Sequence, residues 1–132
     1  MKTEPLTLRR TLALEIARHI ENKRVKEHPL RQLFWECTLR CNLNCRHCGS
    51  DCKKPAHTPD MPKEDFLRVL DSVAAKTDPH KVFVVVTGGE PLMRSDLEEC
   101  GRAIYERGFP WGMVTNGLFL TRERLDALMA AG

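Results

Sequence analysis

Residues 81–91 read Lys-Val-Phe-Val-Val-Val-Thr-Gly-Gly-Glu-Pro, a β-branched run that stops at a glycine pair. Val82 to Val86 carry no alternating polar residue, which is the pattern of a central parallel strand covered on both faces. The run is also far too short to cross a bilayer. Its chemistry-bearing residues, Gly88, Gly89, Glu90 and Pro91, fall at the carboxyl end of the strand.

Working outward, Leu33 to Thr38 (Leu-Phe-Trp-Glu-Cys-Thr) and Trp111 to Thr115 read as two further strands, the second ending in Asn116-Gly117. Between the first and second strands, Phe66, Val69, Leu70, Val73 and Thr77 repeat at helical spacing with charged residues elsewhere. Pro62 suits the start of that helix and Asp78-Pro79 its end. Between the second and third strands, Ser95 with Glu98 three residues later predicts a capping box. The helix it opens would bury Leu97, Cys100, Ala103 and Ile104 before stopping near Gly108. Thr121 is expected to cap a last helix with Leu125, Leu128 and Met129 inward. Ahead of all these, Leu8, Leu12, Ile16 and Ile20 lie four apart in a helix from Leu6 to about Val25, expected to pack against the domain as a cap. His28-Pro29 breaks it.

The organisation is therefore an N-terminal amphipathic helix and linker over residues 1–32, followed by three consecutive β-loop-α units over residues 33–132. Such a rhythm implies a parallel α/β sheet. The 132 residues fall below the roughly 200 to 250 of a closed (β/α)8 barrel, so the expected architecture is a partial barrel with its third strand as an exposed edge. In parallel sheets function gathers at the carboxyl ends of the strands. All three ends here carry unusual residues.

Composition narrows the classes. With 21 Lys and Arg against 18 Asp and Glu, the net charge of +3 is too small to make nucleic acid the main partner. The six cysteines are the oddity. Cys37, Cys41, Cys45, Cys48 and Cys52 crowd together while Cys100 stands alone, whereas a disulfide framework would spread them to staple distant loops. Met1 to Arg10 contain Glu4 and two adjacent arginines and no apolar h-region. The expected compartment is the reducing cytoplasm, where clustered cysteines bind metal or do redox chemistry.

Cys41, Cys45 and Cys48 form C-x3-C-x2-C, a spacing that can wrap three thiolates around one iron-sulfur cubane. A triple starting at Cys37 fails, because three residues and not two then follow Cys41 before Cys45. Three ligands for four irons leave one iron open to a small molecule, the logic that separates a catalytic metal site from a closed structural one.

Residues 36–52, Glu-Cys-Thr-Leu-Arg-Cys-Asn-Leu-Asn-Cys-Arg-His-Cys-Gly-Ser-Asp-Cys, resemble the cluster loop of the radical S-adenosylmethionine (radical SAM) enzymes, and Thr87 to Pro91 resembles their Gly-Gly-Glu-Pro motif. The two occur in the right order with a helix between them, and the resemblance covers about Leu33 to Gly132. The loop is most similar to that of the peptide-modifying SPASM-type subgroup. The resemblance implies that Cys41, Cys45 and Cys48 ligate a 4Fe-4S cluster whose open iron chelates S-adenosylmethionine. Gly88, Gly89, Glu90 and Pro91 would line the methionine moiety, with the glycines allowing close approach and Glu90 or strand-end carbonyls accepting from the ammonium group. Thr115 and Asn116 match a position that contacts the cofactor. His47 stands where the family often has an aromatic residue and offers a flat ring near the adenine. The implied partners are a reduced flavodoxin or ferredoxin as electron donor and a substrate, in this subgroup a peptide. The family core has about six βα units, so this sequence corresponds to its N-terminal half.

Other readings stand beside these. Cys37 and Cys100 are expected to be packing thiols. Cys52 is either a loop thiol or a fourth ligand that would close the cluster. Cys45-x2-Cys48 with His47, His57 and Cys41 or Cys52 could make a zinc knuckle, which leaves Gly-Gly-Glu-Pro unexplained. Arg94 and Arg102 are expected to be solvated helix charges.

Overall fold

The computed structural model describes residues 7–50, 52 and 58–132. At its centre lies a parallel sheet of three strands, β1 (Gln32–Glu36), β2 (Phe83–Thr87) and β3 (Trp111–Met113), in the order β1-β2-β3. Parallel neighbours need a crossover. Helix α2 (Lys63–Ala74) lies between β1 and β2 in the chain, and α3 (Leu97–Tyr105) lies between β2 and β3. Helix α1 (Leu8–Glu27) precedes the sheet and α4 (Arg122–Met129) follows it. The three βα units expected from periodicity are all present.

The register sets two rows across the sheet, Leu33-Val84-Trp111 and Trp35-Val86-Met113. Because side chains alternate along a strand, both rows share one face. That face is the core: Trp35, Val84 and Val86 pack with Phe66 and Leu70 of α2 and with Leu97, Cys100 and Ile104 of α3. Trp35 stacks on Phe66 with ring centroids 4.2 Å apart. Gly101 lets α3 lie close to β3, since a Cβ there would stand 2.2 Å from the Trp111 ring.

The other face is open, which corrects the expectation that β2 is covered on both sides. Phe34 and Phe83 project from it, 64% and 39% exposed. In a barrel only the outer face of the sheet is covered by helices, and the inner face is filled by side chains from strands across the lumen. A continuous apolar run is compatible with either surrounding. Both β1 and β3 are sheet edges.

Helix α1 also departs from expectation, because no residue of it is buried. Leu8, Leu12, Ile16 and Ile20 are 87%, 61%, 54% and 53% exposed. At 3.6 residues per turn each four-residue step rotates about 40°, so these side chains wind around the cylinder and form no straight stripe. The helix is held locally, by the Thr7 hydroxyl accepting from the Arg10 N–H and by the Glu15–Arg18, Glu21–Arg24 and Lys23–Glu27 pairs.

Smaller corrections follow from competition for side chains. Helix α3 starts at Leu97 with Asp96, not Ser95, at its N-cap, and the Asp96 carboxylate makes no capping bond because Arg94 engages both its oxygens. Arg94 is buried, while Arg102 is in solvent as expected. In α4 only Leu128 is buried, whereas Leu125 and Met129 are exposed, and in α2 Val69 is exposed. Thr121 caps α4 as expected, accepting from the Arg124 N–H.

Candidate functional site

The cysteine loop leaves the sheet at the end of β1, and its first limb prolongs the parallel ladder. The Cys37 N–H donates to the Thr87 carbonyl, Gly89 N–H to Thr38, and Glu90 N–H to Arg40. The loop thus lies directly against the Gly-Gly-Glu-Pro turn. This contact explains the glycines. A Cβ on Gly88 would stand 2.3 Å from the Thr38 carbonyl oxygen and one on Gly89 2.3 Å from that of Arg40. Gly88 also holds φ +142°, which side-chain-bearing residues rarely adopt.

Glu90 is buried and binds inward. One carboxylate oxygen accepts from the Leu92 N–H at 2.9 Å and the Thr115 hydroxyl at 2.7 Å, and the other accepts from the Asn116 N–H at 2.7 Å. The end of β2 is thereby tied to the segment after β3. Asn116 passes the tie on, its side-chain amide donating to Asn42 Oδ1 at 2.8 Å beside Cys41. The three strand ends that carry the candidate residues form one hydrogen-bonded circuit. Pro91 is buried in the short turn that follows, Pro91–Met93.

A second tie closes the far end of the loop. Asp60 accepts from the Thr38 hydroxyl at 2.6 Å and pairs with the Arg40 guanidinium. Partial burial works against the Asp60 carboxylate. The hydrogen bonds from Arg40 and Thr38, with the charges of Arg40 and Arg94, outweigh it and hold the pKa below the usual value.

Inside the loop a cavity of about 170 Å3 is lined by Cys41, Cys45, Cys48 and Cys52 with Leu43, Asn44, Ser50 and Gly89. The three C-x3-C-x2-C thiols therefore meet the end of β2 in one space. Cys41 Sγ accepts from the Leu43 N–H at 3.4 Å, the kind of donor that tunes the potential of an iron-sulfur centre. Cys45 and Cys48 are exposed, whereas Cys52 is buried with its Cβ against Gly89. The two expected packing thiols are buried, Cys37 beyond β1 and Cys100 in α3, and burial pushes both up to about 12. Neither lines the cavity.

The donor set suits a cubane. Among the described residues no three His, Cys, Asp or Glu side chains stand close enough to share one metal ion. What fits is the chemistry of the donors: three soft thiols around one cavity are the kind of ligand that iron-sulfur centres take. Asn42 Nδ2 beside Cys41 is buried and meets no acceptor among the described residues. His47 is exposed and does not line the cavity, nor do Thr115 and Asn116. His57 of the zinc reading lies outside the described residues.

Sequence reasoning missed Asn42, Thr38, Arg40 and Asp60. Asn42 directly follows Cys41, the first cysteine of the C-x3-C-x2-C spacing, and that adjacency was the available signal. The Asp60 partners lie some twenty positions away with no periodicity to link them.

A parallel sheet with helices in its crossovers and a thiol-lined cavity at its carboxyl ends defines the class as an α/β fold whose candidate site lies at the strand ends. Residues 35–132 match the model of the Radical SAM superfamily, and the chain belongs to that superfamily. Enzymes of this superfamily use a 4Fe-4S cluster and S-adenosylmethionine. Over 102 residues the chain is 34% identical to the AdoMet-dependent heme synthase of Methanosarcina barkeri, covering 77% of this chain and 28% of that protein. Over 97 residues it is 35% identical to the PqqA peptide cyclase of Ruegeria pomeroyi, covering 74% and 25% respectively. The fold matches crystalline SuiB of Streptococcus suis bound to S-adenosylmethionine, with a TM-score of 0.62 and 20% identity over 96% of this chain and 29% of that one. The chain thus spans less than a third of the length of each of these proteins. Among the described residues no helix is long and apolar enough to cross a membrane.

Proposed function

We propose that this chain carries the radical-initiating half-site of a radical SAM enzyme, with Cys41, Cys45 and Cys48 as the cluster ligands. The observation that carries the reading is the convergence of these three thiols and Gly89 in one cavity at the strand ends. When bound, the reduced cluster supplies one electron to the sulfonium of S-adenosylmethionine, which breaks a carbon–sulfur bond to give methionine and a 5'-deoxyadenosyl radical that takes a hydrogen atom from substrate. The polypeptide contributes placement. Gly88, Gly89 and Pro91 present the end of β2 to the methionine moiety. Glu90 contributes by holding Thr115 and Asn116, since its carboxylate already accepts three internal bonds. Asn42 Nδ2 supplies a buried donor beside Cys41, and His47 a ring on the exposed loop for the adenine.

Anaerobic reconstitution tests this. The expected result is a 4Fe-4S centre whose electron paramagnetic resonance spectrum, after reduction by dithionite, changes on adding S-adenosylmethionine. A centre indifferent to it, or zinc in place of iron, would sink the reading.

For the substrate, the relation to PqqA peptide cyclase favours a peptide acted on in the cytoplasm, with a reduced flavodoxin or ferredoxin as electron donor. The comparable identity to AdoMet-dependent heme synthase favours a tetrapyrrole as the second reading. Transfer of deuterium from a labelled peptide or from a labelled porphyrin into 5'-deoxyadenosine distinguishes them.

A further inference from the structure

Arg94 is the most deeply buried cation among the described residues, 4% exposed, and lies just beyond the Gly-Gly-Glu-Pro turn. Its five N–H donors are all directed. Nε and Nη2 grip the Asp96 carboxylate at 2.9 and 2.8 Å, and Nη2 also approaches Cys100 Sγ at 4.0 Å. Nη1 donates to the carbonyls of Cys37 at 2.7 Å and Met61 at 3.0 Å. These two carbonyls mark the mouth of the cysteine loop: Cys37 follows β1 and Met61 precedes Pro62, the N-cap of α2. Beneath, the guanidinium lies 5.1 Å from the Trp35 ring centroid, and Trp35 stacks on Phe66 of α2.

We propose that Arg94 is the positioning residue for the cluster ligands: by bridging the Cys37 and Met61 carbonyls it sets the width of the loop mouth and thereby the spacing of the Cys41, Cys45 and Cys48 thiols. The proposal rests on the function proposed above only for the identity of the cluster. Burial demands this arrangement, because a guanidinium removed from water persists only where its charge is paired and its donors are met. Two of the acceptors that meet them are the ends of the loop. Lysine would keep the charge but offers no planar fork with which to hold Asp96 and both carbonyls together. Asp60 latches the same loop nearer solvent, so the mouth is held at two depths.

The test uses the full chain as wild type, Arg94→Lys and Leu70→Ala, the last lowering global stability while leaving every hydrogen bond of Arg94 in place. In the cluster-free proteins, backbone hydrogen exchange is followed over residues 37–61 and over β2. Arg94→Lys is expected to exchange about tenfold faster over residues 37–61 with β2 unchanged, the size expected for one lost charge-assisted hydrogen bond. After reconstitution, Arg94→Lys should lose iron to a chelator about tenfold sooner and give an altered reduced-cluster spectrum. Leu70→Ala should match wild type in both. Equal exchange and iron loss in Arg94→Lys and wild type would overturn the proposal, as would the same shifts in Leu70→Ala. Should Arg94→Lys fail to fold, Asp96→Asn, which loosens the grip on Arg94, must shift the same readouts in the same direction. A wild-type chain that binds no cluster would defeat the proposed function, while the exchange measurement would still decide the role of Arg94.

Discussion

At the scale of single residues, the six cysteines divide by surroundings. Cys45 is exposed at the cavity and Cys100 is buried in α3, where desolvation keeps it a thiol. Cys45→Ala should abolish cluster loading, read as iron and sulfide content, while Cys100→Ala should load normally and lose only about 1 kcal/mol of stability to a small cavity. Equal loss in both would contradict the ligand assignment. Glu90→Ala strands the Thr115 hydroxyl and the Leu92 and Asn116 N–H groups, and should cost about 2 kcal/mol and weaken S-adenosylmethionine binding with the cluster retained. Unchanged binding would remove Glu90 from any role in the site.

The candidate triple Cys41, Cys45 and Cys48, which the structure gathers at one cavity, could be picked out by spacing, because coordination demands particular residues at particular intervals. The settings of Arg94 and Glu90 could not. A charge in a sequence carries no sign of the acceptors that will meet it, and the partners of Arg94 include Cys37, which lies 57 positions away.

At the scale of elements, the loop between β1 and α2 is closed by carboxylates whose pKa values lie below their ordinary range. For Asp96 the Arg94 hydrogen bond is the leading cause, and for Asp60 the Arg40 and Thr38 bonds prevail over burial. A folded-state pKa depressed in this way stabilises the closed loop above the ordinary carboxylate pKa, and that contribution is lost as pH falls through the folded value. Backbone exchange over residues 37–61, corrected for intrinsic rates, should stay constant from neutrality to about pH 4.5 and accelerate below about pH 4. Asp60→Asn should remove part of that dependence. In α3, Gly101→Ala drives a methyl group into Trp111 and should cost about 1 to 3 kcal/mol, measured by urea unfolding.

Elements were read well wherever the pattern had a local cause. The Thr121 cap, the two helical repeats and the β-branched strand each follow from neighbours in sequence. The fate of α1 did not, since a four-residue spacing announces apolar side chains without saying what covers them. Ser95 is not the cap either: α3 starts at Leu97 with Asp96 at its N-cap, and a buried arginine holds that carboxylate.

At the scale of the whole molecule, one face of the sheet is packed and the other carries exposed Phe34 and Phe83 between two edges that are unpaired among the described residues. Open parallel edges beside apolar surface favour association. The 132-residue chain should therefore show concentration-dependent self-association in sedimentation velocity, and Phe34→Lys should reduce it. Identical behaviour of the two proteins would show that this face is not the contact.

The two tryptophans occupy opposite flanks of the same sheet, Trp35 on β1 and Trp111 on β3, with the valines of β2 between them. Trp35 is clasped between an aromatic ring and a cation while Trp111 lies over a glycine. The molecule thus contains its own optical gauge. With Trp111 replaced by Phe, ultraviolet emission comes from the indole beneath the loop mouth, and its wavelength and quenching by iodide follow the opening of that mouth without any attached dye.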